Sequence, residues 1–556
     1  MNPLVKINQL QLQFENHTNH KTLSNISFEV AHGETLLLLG PSGSGKSTLT
    51  LCLNGLFPRE LDGQMAGEIL FDGKHAAAFF PGELSQLVGV VFQDPETQFC
   101  MMQVDDEIAF GLENIGTPPA EIGQKIDHAL ALVDMSAYKT STIASLSGGQ
   151  KQKLALACIL AMEPALLVLD EPTANLDPVA TNEVLQIIKK LQQKTNCSLI
   201  VIEHHLDGWT DIASRCVLLN KSGTIFFDGN LKDAVLTHHR QLKEEGIWLP
   251  KITQYFIQHA QEHLDCLPFT LEDFAAQAAP IQLPLPEINM VQHHMASEVL
   301  LSAKDLSWSV KQKQIVQHAS LSIREGEFIA VIGANGSGKT SLSRIIAGIQ
   351  KPSSGEIFVG GKALKNWKTT NLREHIGYVF QNPEHQFIAA TVFEEVAFSL
   401  RLRELQETEI VKKVRTMLDI CGLSAYQNEH PFRLSQGQKR RLSVATMLVD
   451  DQRMLILDEP TFGQDAHSNQ ELMRLLYERY LENTAIVMIT HDMELVAQYA
   501  TRVIVMQDGK IAADCTPDTL WKKYAGNLQE WHLSTPVSLK LQQLQERKYD
   551  YVPTSS

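Results

Sequence analysis

Long apolar runs are missing from this chain. No stretch approaches the ~18 residues needed to cross a bilayer. The longest candidate, 155–169, is interrupted by Glu163 and Pro164 and closes on Asp170. The opening "MNPLVKINQL" lacks the basic segment and apolar core of a secretory signal. From both absences the chain is expected to stay in the cytosol. Cysteine is sparse: eight residues, all singletons, with no C-x-x-C pair. That argues against a disulfide framework and against zinc. Positive charge is short as well. Only 48 Lys and Arg face 64 Asp and Glu, a net charge of −16. Nucleic-acid binding usually leaves a basic footprint, so no nucleic-acid partner is expected.

What the sequence does have is an internal repeat. At 556 residues the chain exceeds one compact core, and its motifs occur in two ordered sets. "GPSGSGKST" (40–48) matches "GANGSGKTS" (333–341), and "VVFQDPETQF" (90–99) matches "YVFQNPEHQF" (378–387). "LSGGQKQK" (146–153) matches "LSQGQKRR" (434–441), and "LLVLDEPTANLD" (166–177) matches "MLILDEPTFGQD" (454–465). "IEHHLD" (202–207) matches "ITHDME" (489–494). The first copy is read as 1–240 and the second as 299–530. Between them, 241–298 reads as a connector; its "IQLPLPEINM" (281–290) favours extended chain because of the two prolines. Residues 531–556 read as a tail that ends in a solvated "QERKYDYVPTSS".

Each copy alternates short apolar runs with helical stretches. "ETLLLLG" and "EFIAVIG" read as buried strands entering a turn, and "ALLVLD" and "RMLILD" as buried strands ending in a carboxylate. "CSLIVIEH" and "TAIVMITH" end in histidine, and "ATNEVLQIIKKLQQK" reads as a helix. The fold class is therefore α/β, two tandem domains, each with a mostly parallel sheet whose strand ends carry the chemistry.

The pattern G-x-x-x-x-G-K-[ST] occurs twice, each time directly after a predicted strand, the context in which it marks a phosphate-binding P-loop. In the first copy the loop residues are Gly40, Pro41, Ser42, Gly43, Ser44, Gly45, Lys46, Ser47 and Thr48. In the second they are Gly333, Ala334, Asn335, Gly336, Ser337, Gly338, Lys339, Thr340 and Ser341. Backbone N–H groups of such a loop curl round phosphate oxygens, the lysines neutralise the β- and γ-phosphates, and Ser47 and Thr340 suit Mg²⁺. Asp170 and Asp458, at strand ends, suit the magnesium shell. Glu171 and Glu459 follow them and are placed to polarise an attacking water, worth ~10²–10⁴ in rate. ATP and Mg²⁺ are the expected cofactors.

P-loop, glutamine loop, "LSGGQ", "LxLDEPT" and a strand-end histidine, in that order, resemble the ATP-binding cassette family over almost the whole chain. The resemblance implies a small antiparallel β region and a helical subdomain in each domain. It implies that Gln93 and Gln381 reach the metal and water, that His204 and His491 contact the γ-phosphate, and that Phe14 stacks on adenine. His205, opposite Asp492 of the second copy, is read as incidental. Asp177 and Asp465 end loops that communicate between sites. The family pairs cassettes head to tail, so the signature Ser147, Gly148, Gly149, Gln150 would cap ATP on Lys339. Ser435, Gln436, Gly437, Gln438 would cap ATP on Lys46, an intramolecular cassette dimer. Gln436 stands where the first copy has glycine; since a helix's first turn has ordinary φ, glutamine is expected to be tolerated.

"FQDPETQF" and "FQNPEHQF", followed by "DEIAFGLEN" and "EEVAFSL", resemble the ATPases of energy-coupling-factor importers of vitamins and transition metals. That implies a peripheral protein on the cytoplasmic face of the cell membrane, partnered by an integral-membrane T-type scaffold and a substrate-binding S-type subunit. A hydroxymethylpyrimidine or thiamine cargo is the expectation, with cobalt or nickel beside it. A tandem sugar-import ATPase is an alternative, although those tend to have one decayed P-loop. A ribosome-associated tandem cassette is another, although that class usually has a basic connector. Asp105, Asp106 and Glu107 in one copy and Glu394 and Glu395 in the other are candidate contacts to the scaffold; an acidic, solvated helix face explains them as well. "LQLQF" (10–14) aligns with "LSWSV" (306–310), which puts Val310 at the Phe14 position and leaves Trp308 packed into the sheet.

Overall fold

The computed structural model describes residues 2–14, 22–41, 43–174, 176–204, 206–259, 267–277, 298–310, 313–403, 405–461, 464 and 466–549. Ser42, His205, Asp465 and the 281–290 segment lie outside the described residues. The chain divides into two compact units: 1–176 with 180–281, and 282–556 with 177–179.

In the first unit a six-stranded sheet runs Ile225–Asn230, Arg215–Leu219, Thr35–Leu39, Ser198–Ile202, Leu166–Asp170, Val88–Val91. All neighbours are parallel except the first pair. Four of these strands, Thr35–Leu39, Ser198–Ile202, Leu166–Asp170 and Val88–Val91, are buried along their whole length. Unbroken apolar runs, rather than alternation, are what such two-sided burial requires. A second, four-stranded sheet is antiparallel, in the order Leu23–Val30, Val5–Phe14, Gly63–Phe71, Lys74–His75. Its inward side chains and the large sheet share one core, including Leu4, Phe28, Phe71, Leu38 and Val168. Helices Val104–Asn114, Pro119–Leu132 and Gly148–Ala161 pack on one another as a helical subdomain.

The second unit repeats the plan. Its large sheet runs Lys510–Cys515, Arg502–Gln507, Phe328–Ile332, Ala485–Ile489, Met454–Asp458, Ile376–Val379, and its antiparallel sheet Lys313–Arg324, Val299–Val310, Ser354–Val359, Lys362–Ala363. The helices Val392–Leu402, Glu407–Ile420 and Gln436–Leu448 close on a separate apolar core that includes Val396, Leu400, Val414 and Leu442.

The described part of 241–298 carries helices Lys251–His259 and Leu271–Gln277, and the rings of Phe256 and Phe274 meet edge-on at 6.3 Å. Thr253 Oγ1 donates to the Pro268 carbonyl at 2.5 Å. Trp531 and Leu533, just past 530, are buried against Ile332 and Val505. Helix Val537–Tyr549 follows, and Ser538 Oγ donates to Glu494 Oε2 at 2.6 Å. Among the described residues no helix is long and apolar enough to cross a membrane.

Candidate active site

Each P-loop begins where a buried strand ends. Thr35–Leu39 runs into 40–45, and Phe328–Ile332 into 333–338. Gly45 and Gly338 have φ of 92° and 100°, in the left-handed region that glycine enters without a Cβ clash. A Cβ on Gly338 would stand 2.6 Å from the Ile315 carbonyl oxygen, and one on Gly45 2.8 Å from that of Thr22. No side chain fits either position. Helices Lys46–Leu53 and Lys339–Ile346 start at once, so Ser47, Thr48, Thr340 and Ser341 lie in a first turn whose N–H groups suit an anion.

Lys46 Nζ donates to the carbonyls of Gly40 and Pro41 at 2.7 and 2.9 Å. Lys339 Nζ donates to those of Gly333 and Ala334, both at 2.8 Å. The hydroxyls of Ser44 and Ser337 are buried, with no hydrogen-bond partner among the described residues. Burial pushes the Lys339 ammonium down to about 8. A cation held at such cost gains from an anionic ligand.

The catalytic end follows from register. Asp170 pairs with Ile202 and Asp458 with Ile489 across parallel neighbours. The glutamate after one strand and the histidine after the next must then meet. His204 Nε2 stands 2.8 Å from Glu171 Oε1, and His491 Nε2 2.9 Å from Glu459 Oε1. On the other side Gln93 Nε2 donates to Glu171 Oε2 at 2.6 Å, and Gln381 Nε2 to Glu459 Oε2 at 3.2 Å. Glu171 and Glu459 both have φ of 51°, a left-handed conformation costing about 1–3 kcal/mol for a non-glycine residue and concentrated at functional sites. Burial alone would raise the Glu459 carboxyl, but His491 and Lys339 outweigh it and hold it below its ordinary value.

Asp170 and Asp458 fit a divalent cation. Burial, with the charge of the following glutamate, pushes both carboxyls up to about 6. Asp170 Oδ1 is buried without a partner among the described residues. The Ser47 hydroxyl partly offsets that rise at Asp170, and Thr340 Oγ1 donates to Asp458 Oδ1 at 3.2 Å. Hard oxygens on a desolvated carboxylate and a neighbouring hydroxyl are the donor set magnesium takes.

Ser147 and Ser435 are N-caps of Gly148–Ala161 and Gln436–Leu448, each in a capping box with the glutamine three residues on. The caps match: Ser147 N donates to Gln150 Oε1, and Ser435 N to Gln438 Oε1, both at 2.9 Å. Gln436 is exposed in the first turn, as Gly148 is. Phe14 ends its strand, half-buried, with its ring edge-on to Phe57 at 5.5 Å. Val310 is 44% exposed, and Trp308 packs against the second unit's core.

The reading of Glu107 and Glu395 as scaffold contacts is corrected here. Both point inward, 6% and 5% exposed. Glu107 Oε2 accepts from the N–H groups of Cys100 and Met101 at 2.9 and 2.6 Å. Glu395 Oε2 accepts from those of Ile388 and Ala389 at 2.9 and 2.7 Å. Each folds the loop before its own helix. Asp106 stays exposed, and Glu394 pairs with Arg401.

Sequence reasoning missed two groups near the glutamates. Glu203 is buried beside His204, and its Oε1 accepts from the N–H and the hydroxyl of Thr173 at 3.1 and 2.7 Å. Arg440 is buried beneath Gln381 and donates to the carbonyls of Phe380 and Gln381. The available signal was comparison of the copies, which have Thr490 for Glu203 and Gln152 for Arg440.

A family model described as ABC transporter matches residues 23–174 and 316–462. A Bacillus subtilis protein provisionally named HMP/thiamine import ATP-binding protein YkoD is 43% identical over 555 residues, 100% of this chain and 99% of that protein. A Methanosarcina mazei protein provisionally named ABC transporter ATP-binding protein is 36% identical over 90% of this chain and 88% of that protein. Among solved structures, cbiO1 of Clostridium perfringens, described as part of the ABC transporter complex cbiONQ, is 30% identical. The match covers 45% of this chain and 98% of that one, with a TM-score of 0.39.

Proposed function

The chain belongs to the ABC transporter family, as an ATPase with two cassettes, and from that membership we propose that it powers a membrane importer of the energy-coupling-factor type. The observation that carries the reading is the pair of matching constellations, Gln93–Glu171–His204 and Gln381–Glu459–His491. A carboxylate held from one side by histidine and from the other by an amide is fixed in direction, as a group that orients and deprotonates water must be. Lys46 and Lys339 hold the β- and γ-phosphates. Ser147 and Ser435, each at a helix N-terminus, are suited to phosphate oxygens. Magnesium, held by Ser47, Asp170 and Gln93 or by Thr340, Asp458 and Gln381, would neutralise phosphate charge.

The cargo is a thiamine precursor such as hydroxymethylpyrimidine, a reading supported by the likeness to the Bacillus subtilis protein named for HMP/thiamine import. The protein works at the cytoplasmic face of the membrane with an integral scaffold and a substrate-binding subunit. Both sites turn over, and Gln436 is a tolerated variation. Steady-state ATPase of the assembled transporter tests this. Glu171→Gln and Glu459→Gln should each lower kcat by about 10²-fold or more at their own site, and Gln436→Gly should change it less than about threefold. Unchanged turnover in Glu171→Gln would mean that the first site is idle. Uptake of labelled hydroxymethylpyrimidine by cells carrying the complex, lost with Lys46→Ala and Lys339→Ala, tests the cargo.

A further inference from the structure

The two copies hold their glutamine loops in different ways. In the first unit, Gln98 folds back on its own strand: its Oε1 accepts from Phe92 N and its Nε2 donates to the Val90 carbonyl, both at 3.1 Å. Lys151 to Glu96, at 2.5 Å, ties that loop to the signature helix Gly148–Ala161. Gln152 is buried there, and its Nε2 has no partner among the described residues.

In the second unit the corresponding residues all engage the signature helix Gln436–Leu448. Gln386 Nε2 donates to the Ser443 carbonyl at 2.8 Å and to Thr446 Oγ1 at 2.5 Å, and Ser443 Oγ donates back to Gln386 Oε1 at 3.1 Å. Lys439 reaches Glu384 at 2.6 Å. Arg440, 3% exposed, donates one nitrogen to the Phe380 carbonyl at 2.7 Å and another to the carbonyl of Gln381 itself. A planar guanidinium offers separate nitrogens to two successive carbonyls in a rigid fork, which fixes their direction more tightly than a rotatable ammonium does. Burial pushes this guanidinium down to about 10, and the nearby charges of Glu459 and Asp458 oppose that shift.

We propose that Arg440 is a positioning residue for ATP hydrolysis in the second unit. It locks the glutamine loop to the signature helix, so that Gln381 stays directed at Glu459 and moves with Ser435 on the same helix. The first unit shares the lysine–glutamate tie but, among the described residues, has no hydrogen bond from Gln152 to the backbone of its glutamine loop, and Gln98 there bonds its own strand instead of the helix. This inference rests on the reading of Gln381 and Glu459 as the second site's machinery.

Kinetics of the full-length chain test it, in a Glu171→Gln background that leaves the second site to be read. Arg440→Gln, which installs the first unit's residue, should lower kcat about 10- to 100-fold, the scale of a misplaced group. KM for ATP should stay within about twofold, because the P-loop is untouched. Arg440→Lys should recover part of the loss. An unchanged kcat, or a rise in KM alone, overturns the proposal. Glu459→Gln separates the two layers: if it too leaves turnover intact, the site reading fails; if only Arg440→Gln is silent, the lock fails. Hydrogen exchange of the wild-type chain needs neither a stable variant nor turnover. Amides of 380–387 should be protected like the helix beside them and exchange more slowly than those of 92–99. Equal or reversed protection overturns the lock.

Discussion

At Glu203 the first unit buries a carboxyl where the second has Thr490. Burial pushes it from 4.5 up to about 8, with the charge of Glu171 adding and the bonds from Thr173 opposing. An unfolded chain releases this proton near the ordinary value, while the folded chain keeps it until about pH 8. Across that window folding takes up a proton, so stability falls as pH rises and levels off above the folded value. Glu203→Gln keeps an oxygen for Thr173 and abolishes the titration. Its unfolding temperature should therefore gain on the parent between pH 5 and pH 8, and parallel melting curves would refute this. The glutamine of "LSQGQ" has an equally local explanation. The first signature position is solvent-facing in both copies, whereas a Cβ on Gly149, the second, would stand 2.9 Å from that of Ala180. That the first position falls in a helix's first turn, with ordinary φ, was legible in the sequence. The close approach of Ala180 was not, since it comes from another helix.

The helices after the glutamine loops show where reading by element goes astray. "DDE" and "EE" at a helix start predict an acidic first turn, and Val104–Asn114 and Val392–Leu402 do begin there. Which acids turn inward depends on where the preceding loop crosses the helix end. Glu107 and Glu395 each collect two backbone N–H groups six and seven residues back. Hydrogen bonds to a buried charge are worth about 1.5–3 kcal/mol, so Glu395→Ala should cost roughly 2–3 kcal/mol of stability. Asp106→Ala, on the exposed side, should stay within ~0.5 kcal/mol. Chemical denaturation of the two variants checks the contrast, and equal effects would place Glu395 outside the fold's framework.

For the whole molecule, duplication supplies an internal comparison. Phe14 ends the first unit's strand at the position that Val310 holds in the second. Stacking on a base contributes ~1–3 kcal/mol, so ATP should bind the Lys339 site about tenfold more weakly than the Lys46 site. Nucleotide titration of Lys46→Ala and Lys339→Ala variants, each with one loop intact, checks this; equal affinities would assign adenine to another side chain. The sequence alone determined two copies, the α/β class, the P-loops and the strand-end acids. Those features rest on contiguous residues whose backbone geometry is local: a buried strand, a turn only glycine can make, a helix start. Only the tertiary structure decided which groups meet. Glu171 finds Gln93 and His204, and Glu459 finds Gln381 and His491, through the register of separate strands. Arg440 and Gln152 occupy the same motif position, yet only the arginine reaches the glutamine loop. Spacing along the chain does not encode those contacts, because the partners are brought together by how the strands and helices pack.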